Sequence, residues 1–157
     1  MKTKELSTIA LQIALIAVVT ITIAIPTPIG FVNLSDAFIL VFALSSKNKF
    51  SAFLIGAIGC MFADLFLGYG QYAIFTFVIK GVEGLIVYML KEKKPILSFL
   101  IAVIWMVIGY GITDVILAGS IGYFLPSAMY NSIQAGASVL LGLGFLTFFK
   151  KIFVKQE

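Results

Sequence analysis

Long apolar stretches separated by short polar breaks run along nearly the whole chain. Apolar segments bounded by Lys, Pro and Gly occupy residues 6–25, 36–46, 50–67, 72–90, 96–118 and 127–149. A helix of about 20 such residues spans the roughly 30 Å hydrocarbon core of a bilayer. The pattern predicts an all-α integral membrane protein with six transmembrane helices, forming one transmembrane domain over residues 1–157 with short loops. The second segment is ambiguous, because a helix over 36–46 rises only about 17 Å, and hydropathy alone leaves a re-entrant piece open.

The lysines decide between these two threadings. With six crossings and a cytoplasmic N-terminus, Lys2, Lys4, Lys47, Lys49, Lys91, Lys93, Lys94, Lys150, Lys151 and Lys155 all lie inside and none outside. If the second segment turned back, two would lie inside and eight outside, against the positive-inside bias. Six spans with both termini cytoplasmic, in a prokaryotic plasma membrane, is the expectation. A cleaved signal peptide is the alternative for the first segment, but its apolar stretch exceeds the usual 7–15 residues. The outer connections are 26–35, 68–71 and 119–126. The first holds Pro26, Pro28 and Gly30, which constrain its shape, and is expected to fold over the outer mouth as a lid.

Composition narrows the function classes. The chain is 61% hydrophobic and 11% charged, against about 45–50% and about 25% in an ordinary soluble domain, which excludes a soluble globule. It has no His and a single Cys, Cys60, within an apolar run, which excludes His-based metal sites, disulfide frameworks and Cys clusters. The net charge of +4 comes from lysines scattered between apolar runs, so no nucleic-acid partner is expected. No phosphate-cradling G-x-x-x-x-G-K-[ST] loop occurs, no cofactor is expected, and any ATP hydrolysis falls to another chain.

Five ionisable residues fall within the predicted spans: Asp36, Asp64, Lys80, Glu83 and Asp114. Each costs at least about 2.5–3.5 kcal/mol near the bilayer centre and is by default a candidate for function. Lys80 lies about 12 Å below the outer end of its span and Glu83 about 17 Å, whereas Asp64 and Asp114 are about 5–6 Å deep. Helical spacing puts Tyr72, Thr76, Lys80 and Glu83 on one face. Ser127, Asn131, Gln134 and Ser138 share a face of the last span, and Tyr110, Thr113 and Asp114 mark the outer half of the fifth. These faces are expected to converge on an outward-open cavity, with Asn33 of the lid, Tyr69 and Gln71 at its rim.

The predicted substrate-binding set is Asn33, Asp64, Tyr72, Thr76, Lys80, Glu83, Tyr110, Asp114, Asn131 and Gln134. Such a mixture suits a small, flat, polar heterocycle held by stacking and hydrogen bonds. Replacing Lys80 or Asn131 with Ala is expected to weaken binding without unfolding the protein. The competing interpretation is that Lys80 and Glu83 merely pair while Asn131 and Gln134 join helices. A further strip of small residues, Ser7, Ala10, Ala14 and Ala17, permits close helix approach, either within the bundle or to a partner.

Four segments carry a family likeness: Ala10-Leu-Gln-Ile-Ala14, Phe31-Val-Asn-Leu-Ser-Asp-Ala37, Ala63-Asp-Leu-Phe-Leu-Gly-Tyr69 and Phe75-Thr-Phe-Val-Ile-Lys-Gly-Val-Glu-Gly-Leu85. They resemble the S components of energy-coupling factor (ECF) vitamin transporters over nearly the whole chain. The Ile-Lys-Gly-x-Glu-Gly run is similar to the riboflavin-type subgroup, and the chain looks most like its pyridoxine or hydroxymethylpyrimidine branch. The resemblance implies a six-helix subunit that captures a vitamin or precursor at the outer face and delivers it inward. It also implies docking on a transmembrane coupling subunit driven by two cytoplasmic ATPases, with Ala10 and Ala14 at the contact.

Other function classes fit less well. A self-sufficient ion-coupled transporter would use Asp64, Glu83 and Asp114 as proton or cation carriers. An enzyme is not expected, since the usual nucleophile and general-base sets are missing and only a two-carboxylate hydrolase through Asp64 and Asp114 could be built. A purely structural subunit would leave the polar layer unexplained.

Overall fold

A computed structural model describes residues 3–92 and 95–154, with the side chains of the last helix described as far as Phe148. Helix α1 (Thr3–Thr22) leads into a hairpin of β1 (Ile25–Thr27) and β2 (Gly30–Val32). Helices α2 (Ser35–Ser45), α3 (Lys49–Leu67), α4 (Ala73–Leu90) and α5 (Pro95–Ala118) follow. A short 3-10 turn over Ile121–Tyr123 then opens α6 (Phe124–Val154). The expected all-α membrane architecture is present, and five of the helices are long and apolar enough to cross a bilayer. Their outward side chains, among them Leu11, Phe66, Ile74 and Leu140, form an apolar exterior suited to lipid rather than water.

Local chemistry sets the helix ends. The Asn48 side chain caps α3 by accepting from the Ser51 N–H at 2.9 Å. Gly68, at φ 85°, ends the same helix in the left-handed conformation while the Tyr69 N–H donates to the Asp64 carbonyl at 2.8 Å. Pro95 opens α5, where a missing N–H costs nothing.

The lid prediction for residues 26–35 resolves into a regular element. β1 and β2 pair antiparallel, with Ile25 opposite Val32 and Thr27 opposite Gly30, around the turn Pro28-Ile29. Pairing satisfies backbone groups that would otherwise be stranded at membrane depth. Residues 23–25, assigned from hydropathy to the first span, instead form the approach to this hairpin and its first position.

α2 explains the ambiguous second segment. It touches all five other helices and buries Asp36, Ala37, Ile39, Leu40 and Ala43. Its second residue, Asp36, pairs with Lys80, which lies about 10 Å along α4. α2 therefore begins well inside the bundle, and the hairpin carries the chain over the remaining depth. The space above the start of α2 is left for a cavity.

At the opposite end, Lys91 Nζ donates to the carbonyls of Ser46 at 2.8 Å and Leu44 at 3.3 Å, and Glu5 accepts from Asn48 Nδ2 at 3.4 Å. Lys4, Lys47, Lys49 and Lys91 thus share one end of the bundle. Lys2, Lys93, Lys94 and Lys155 lie outside the described residues, as do the side chains of Lys150 and Lys151.

α3 and α4 meet along a seam of glycines. A Cβ on Gly56 would strike the Lys80 carbonyl, and one on Gly84 would strike the Ala52 carbonyl. Both neighbours are backbone and cannot yield as a flexible side chain would. Gly84→Ala is therefore expected to cost about 1–3 kcal/mol, seen as a lower thermal unfolding midpoint in detergent. Gly136→Ala, which meets no neighbouring atom within 4 Å, should leave the midpoint unchanged or raise it.

Candidate functional site

The site begins on the buried face of α4. Thr76, Lys80 and Glu83 are all buried there, at the i, i+4, i+7 spacing that aligns side chains along one helix stripe. Lys80 is 1% exposed and Asp36 and Glu83 are 0% exposed. The Lys80 ammonium pairs with Asp36 Oδ1 and lies 3.4 Å from Glu83 Oε2, so two carboxyl groups flank one cation. Neither Glu83 oxygen has a hydrogen-bond partner among the described residues. The Tyr110 ring stands 5.4 Å from Lys80 Nζ, within cation–π range, and its hydroxyl is 3.0 Å from Thr76 Oγ1.

From Asp36 a chain of hydrogen bonds runs up to the hairpin. Gln134 Nε2 donates to Asp36 Oδ2 at 2.7 Å, and Gln134 Oε1 accepts from the Asn33 N–H at 2.7 Å. Asn33 Oδ1 then accepts from the Ser35 N–H at 2.9 Å and from Ser35 Oγ at 2.5 Å. One network thus joins α4, α2, α6 and the strand exit, and the low dielectric makes it strong only while every member is present.

Above the network is a partly enclosed cavity of about 540 Å³, counting its open mouth. Of the predicted set, Asn33, Asp64, Tyr72, Thr76, Lys80, Tyr110, Asp114, Asn131 and Gln134 all line it. Glu83 does not: one turn further along α4, it lies beneath Lys80 as part of the floor. The competing interpretation is met in part, since Lys80 does contact Glu83 and Gln134 does join helices, yet the remaining polar groups surround open space.

The hairpin forms the roof. The Tyr72 hydroxyl lies 2.6 Å from the Ile29 carbonyl and 2.5 Å from Asp114 Oδ1, with one proton to share between the two acceptors. Burial, reinforced by the neighbouring Asp114, holds the Tyr72 phenol above its ordinary range, so it remains a donor at neutral pH. Tyr69 packs its ring 4.9 Å from Phe31 of β2, and Gln71 lines an adjoining outer cleft with Pro28. Asn131 Nδ2 is anchored to the Ser127 carbonyl at 2.9 Å and to Ser127 Oγ at 3.2 Å. Asp64 is 3% exposed, and its Oδ2 is buried with no hydrogen-bond partner among the described residues.

Sequence reasoning counted Asp36 among the ionisable residues but omitted it from the site. In the sequence alone it reads as the polar start of a span. The signal was the length of that span, because a helix too short to cross must start inside. Thr20 and Cys60 also line the cavity, and nothing in their local patterns separates them from core residues.

Comparison with known proteins then adds two findings. A family model for the ECF-type riboflavin transporter, S component, matches residues 1–151. An "Uncharacterized protein in gap 3'region" from Pyrococcus woesei is 32% identical over 144 residues, covering 87% of this chain and 95% of that protein.

Proposed function

The chain belongs to the family of ECF-type riboflavin transporter S components, membrane-embedded substrate-binding subunits and not enzymes, and from that premise we propose that its cavity captures a small vitamin-like heterocycle. The observation that carries this is the convergence of nine of the ten predicted polar side chains beneath a hairpin roof. The likeness of the chain to the pyridoxine or hydroxymethylpyrimidine branch favours one of these as the ligand, while the Ile79-Lys-Gly-Val-Glu-Gly84 run is the piece similar to the riboflavin-type subgroup, whose larger substrate the family description names. The hairpin end faces outward and both termini face the cytoplasm, in keeping with the lysine distribution.

The ligand is then passed inward after docking on a transmembrane coupling subunit and two ATPases. Ala10 and Ala14 supply the contact in this proposal. Both are exposed on α1, so the small-residue strip faces away from the bundle, where a partner helix could approach closely.

Mass spectrometry of small molecules released by denaturing the purified protein is the direct test of capture, and a stoichiometric heterocycle is the expected result. In proteoliposomes the chain alone should bind the released compound without accumulating it. Ala14→Trp should leave ligand affinity within about twofold while abolishing uptake by the assembled transporter, since the added bulk lies on the exposed face. Gradient-driven accumulation by the chain alone would instead favour an ion-coupled carrier.

A further inference from the structure

The lysine-bearing end of the bundle holds a second cavity. α1 and α3 press together where Gly59 faces α1, since a Cβ there would stand 2.8 Å from the Ile13 carbonyl. One turn nearer the lysines the helices part, and a cleft of about 870 Å³, counting its open mouth, lies between them and the end of α2. Buried Ile9 and Ile55 line its depth, while Lys4 and Lys47 line it nearer the bundle end. Ile9 is about 7–8 Å along α1 from Lys4. Leu6 and Phe50, chain neighbours of lining residues, are 56% and 62% exposed, as side chains facing lipid are.

The donors of this cleft are unused. Among the described residues the ion pairs are those of Lys80 alone, so neither the Lys4 nor the Lys47 ammonium has a carboxylate partner. The Gln12 amide, also in the wall, makes no hydrogen bond among the described residues. Glu5 is the one lining carboxyl group, and its Oε1 accepts from Asn48 Nδ2 at 3.4 Å. Two ammonium groups against one carboxylate leave the lining at +1. The Ser45 and Ser46 hydroxyls donate to the Phe42 carbonyl at 2.9 and 3.0 Å, which leaves their oxygens as acceptors. Such a lining suits a singly charged anion that carries hydroxyls and an apolar tail.

We propose that this cleft seats one anionic phospholipid of the cytoplasmic leaflet, with its phosphodiester on Lys4 and Lys47 and the start of an acyl chain against Ile9 and Ile55. The single negative charge of the diester balances the lining, and the Ser45 and Ser46 oxygens accept from headgroup hydroxyls. A zwitterionic headgroup would instead bring a further cation beside two ammonium groups. Anionic lipid is also what basic residues at the cytoplasmic surface attract. On α1 the lining residues Glu5, Thr8, Ile9 and Gln12 lie about half a turn from Ala10 and Ala14. The lipid therefore stays in place when a partner meets the small-residue strip, and it ties the start of α1 to the α2–α3 connection.

The test is titration of the full-length protein in detergent, followed by native mass spectrometry, with dioleoylphosphatidylglycerol, dioleoylphosphatidylcholine, oleate and glycerophosphoglycerol. One phosphatidylglycerol should be retained at least about 10-fold more tightly than any of the other three. A lysine beside an anionic headgroup corresponds to about 5-fold in affinity, so Lys47→Gln should weaken phosphatidylglycerol by about that factor and leave phosphatidylcholine within about twofold. The Lys47 contact with the Tyr88 hydroxyl is through the main-chain carbonyl and survives the substitution. Lys49→Gln removes the same charge at the same end but outside the cleft lining, and should leave both lipids within about twofold. Equal losses in the two variants would assign the attraction to diffuse surface charge and overturn the proposal. Equal binding of the two phospholipids by the wild-type protein overturns it even if a variant fails to fold. Oleate or glycerophosphoglycerol matching phosphatidylglycerol overturns it as well, in favour of a fatty acid or a soluble phosphodiester.

Discussion

A Lys80→Met protein is expected to lose about 3–5 kcal/mol of stability and its ligand binding together, because removing one partner of a buried ion pair strands the others. The stranded groups are Asp36 and Glu83, both 0% exposed. Restoring neutrality with Asp36→Asn and Glu83→Gln in the same chain should recover much of the thermal midpoint but not the affinity. Measuring both quantities on both variants separates the two contributions. A Lys80→Met protein with the wild-type midpoint would show that the ion triad carries no structural weight. The expectation from the sequence that Lys80→Ala weakens binding with the fold intact is accordingly revised, and Asn131→Ala, whose side chain bonds within α6 among the described residues, becomes the cleaner probe of binding.

Gln134→Leu should release the lid. The side chain is the only described link from Asp36 to the Asn33 N–H, and its loss removes one hydrogen bond to a carboxylate and leaves a buried backbone donor unpaired. The combined effect corresponds to about 10–150-fold in affinity. Most of it should appear as faster dissociation, since mutations within one site act chiefly on off-rates. The dissociation rate of the co-purified ligand, followed after dilution, checks this. An unchanged rate would mean that the roof is held without Gln134, by the Tyr72 and Tyr69 hydroxyls and the Phe31–Tyr69 contact.

Most of the fold was legible because lipid imposes a simple rule on sequence. A span must be apolar and about 20 residues long, so α1, α3, α4, α5 and α6 announced themselves. The polar faces of α4 and α6 were legible for a related reason: where nearly everything is apolar, Lys80, Asn131 and Gln134 stand out at helical spacing. What remained hidden were relations between segments. Nothing in 26–35 says that Ile25 pairs with Val32 rather than forming an irregular loop. Glu83 shares a stripe with Lys80, and only the depth at which α2 begins decides that one lines the cavity and the other the floor. Asp36 was missed because its partners, Lys80 and Gln134, are 44 and 98 residues away.

The floor formed by Asp36, Lys80 and Glu83 bears on the electrical life of the membrane. Beneath it, Leu40, Ala43, Val87, Phe99 and Met106 are each 0% exposed and belong to one packed apolar cluster, in which no file of water could conduct protons. A cavity open on one side and closed on the other by such a layer is expected to pass no current. Many idle copies could therefore reside in an energised membrane without dissipating its voltage, and the number of receptors a cell displays need not be limited by leak.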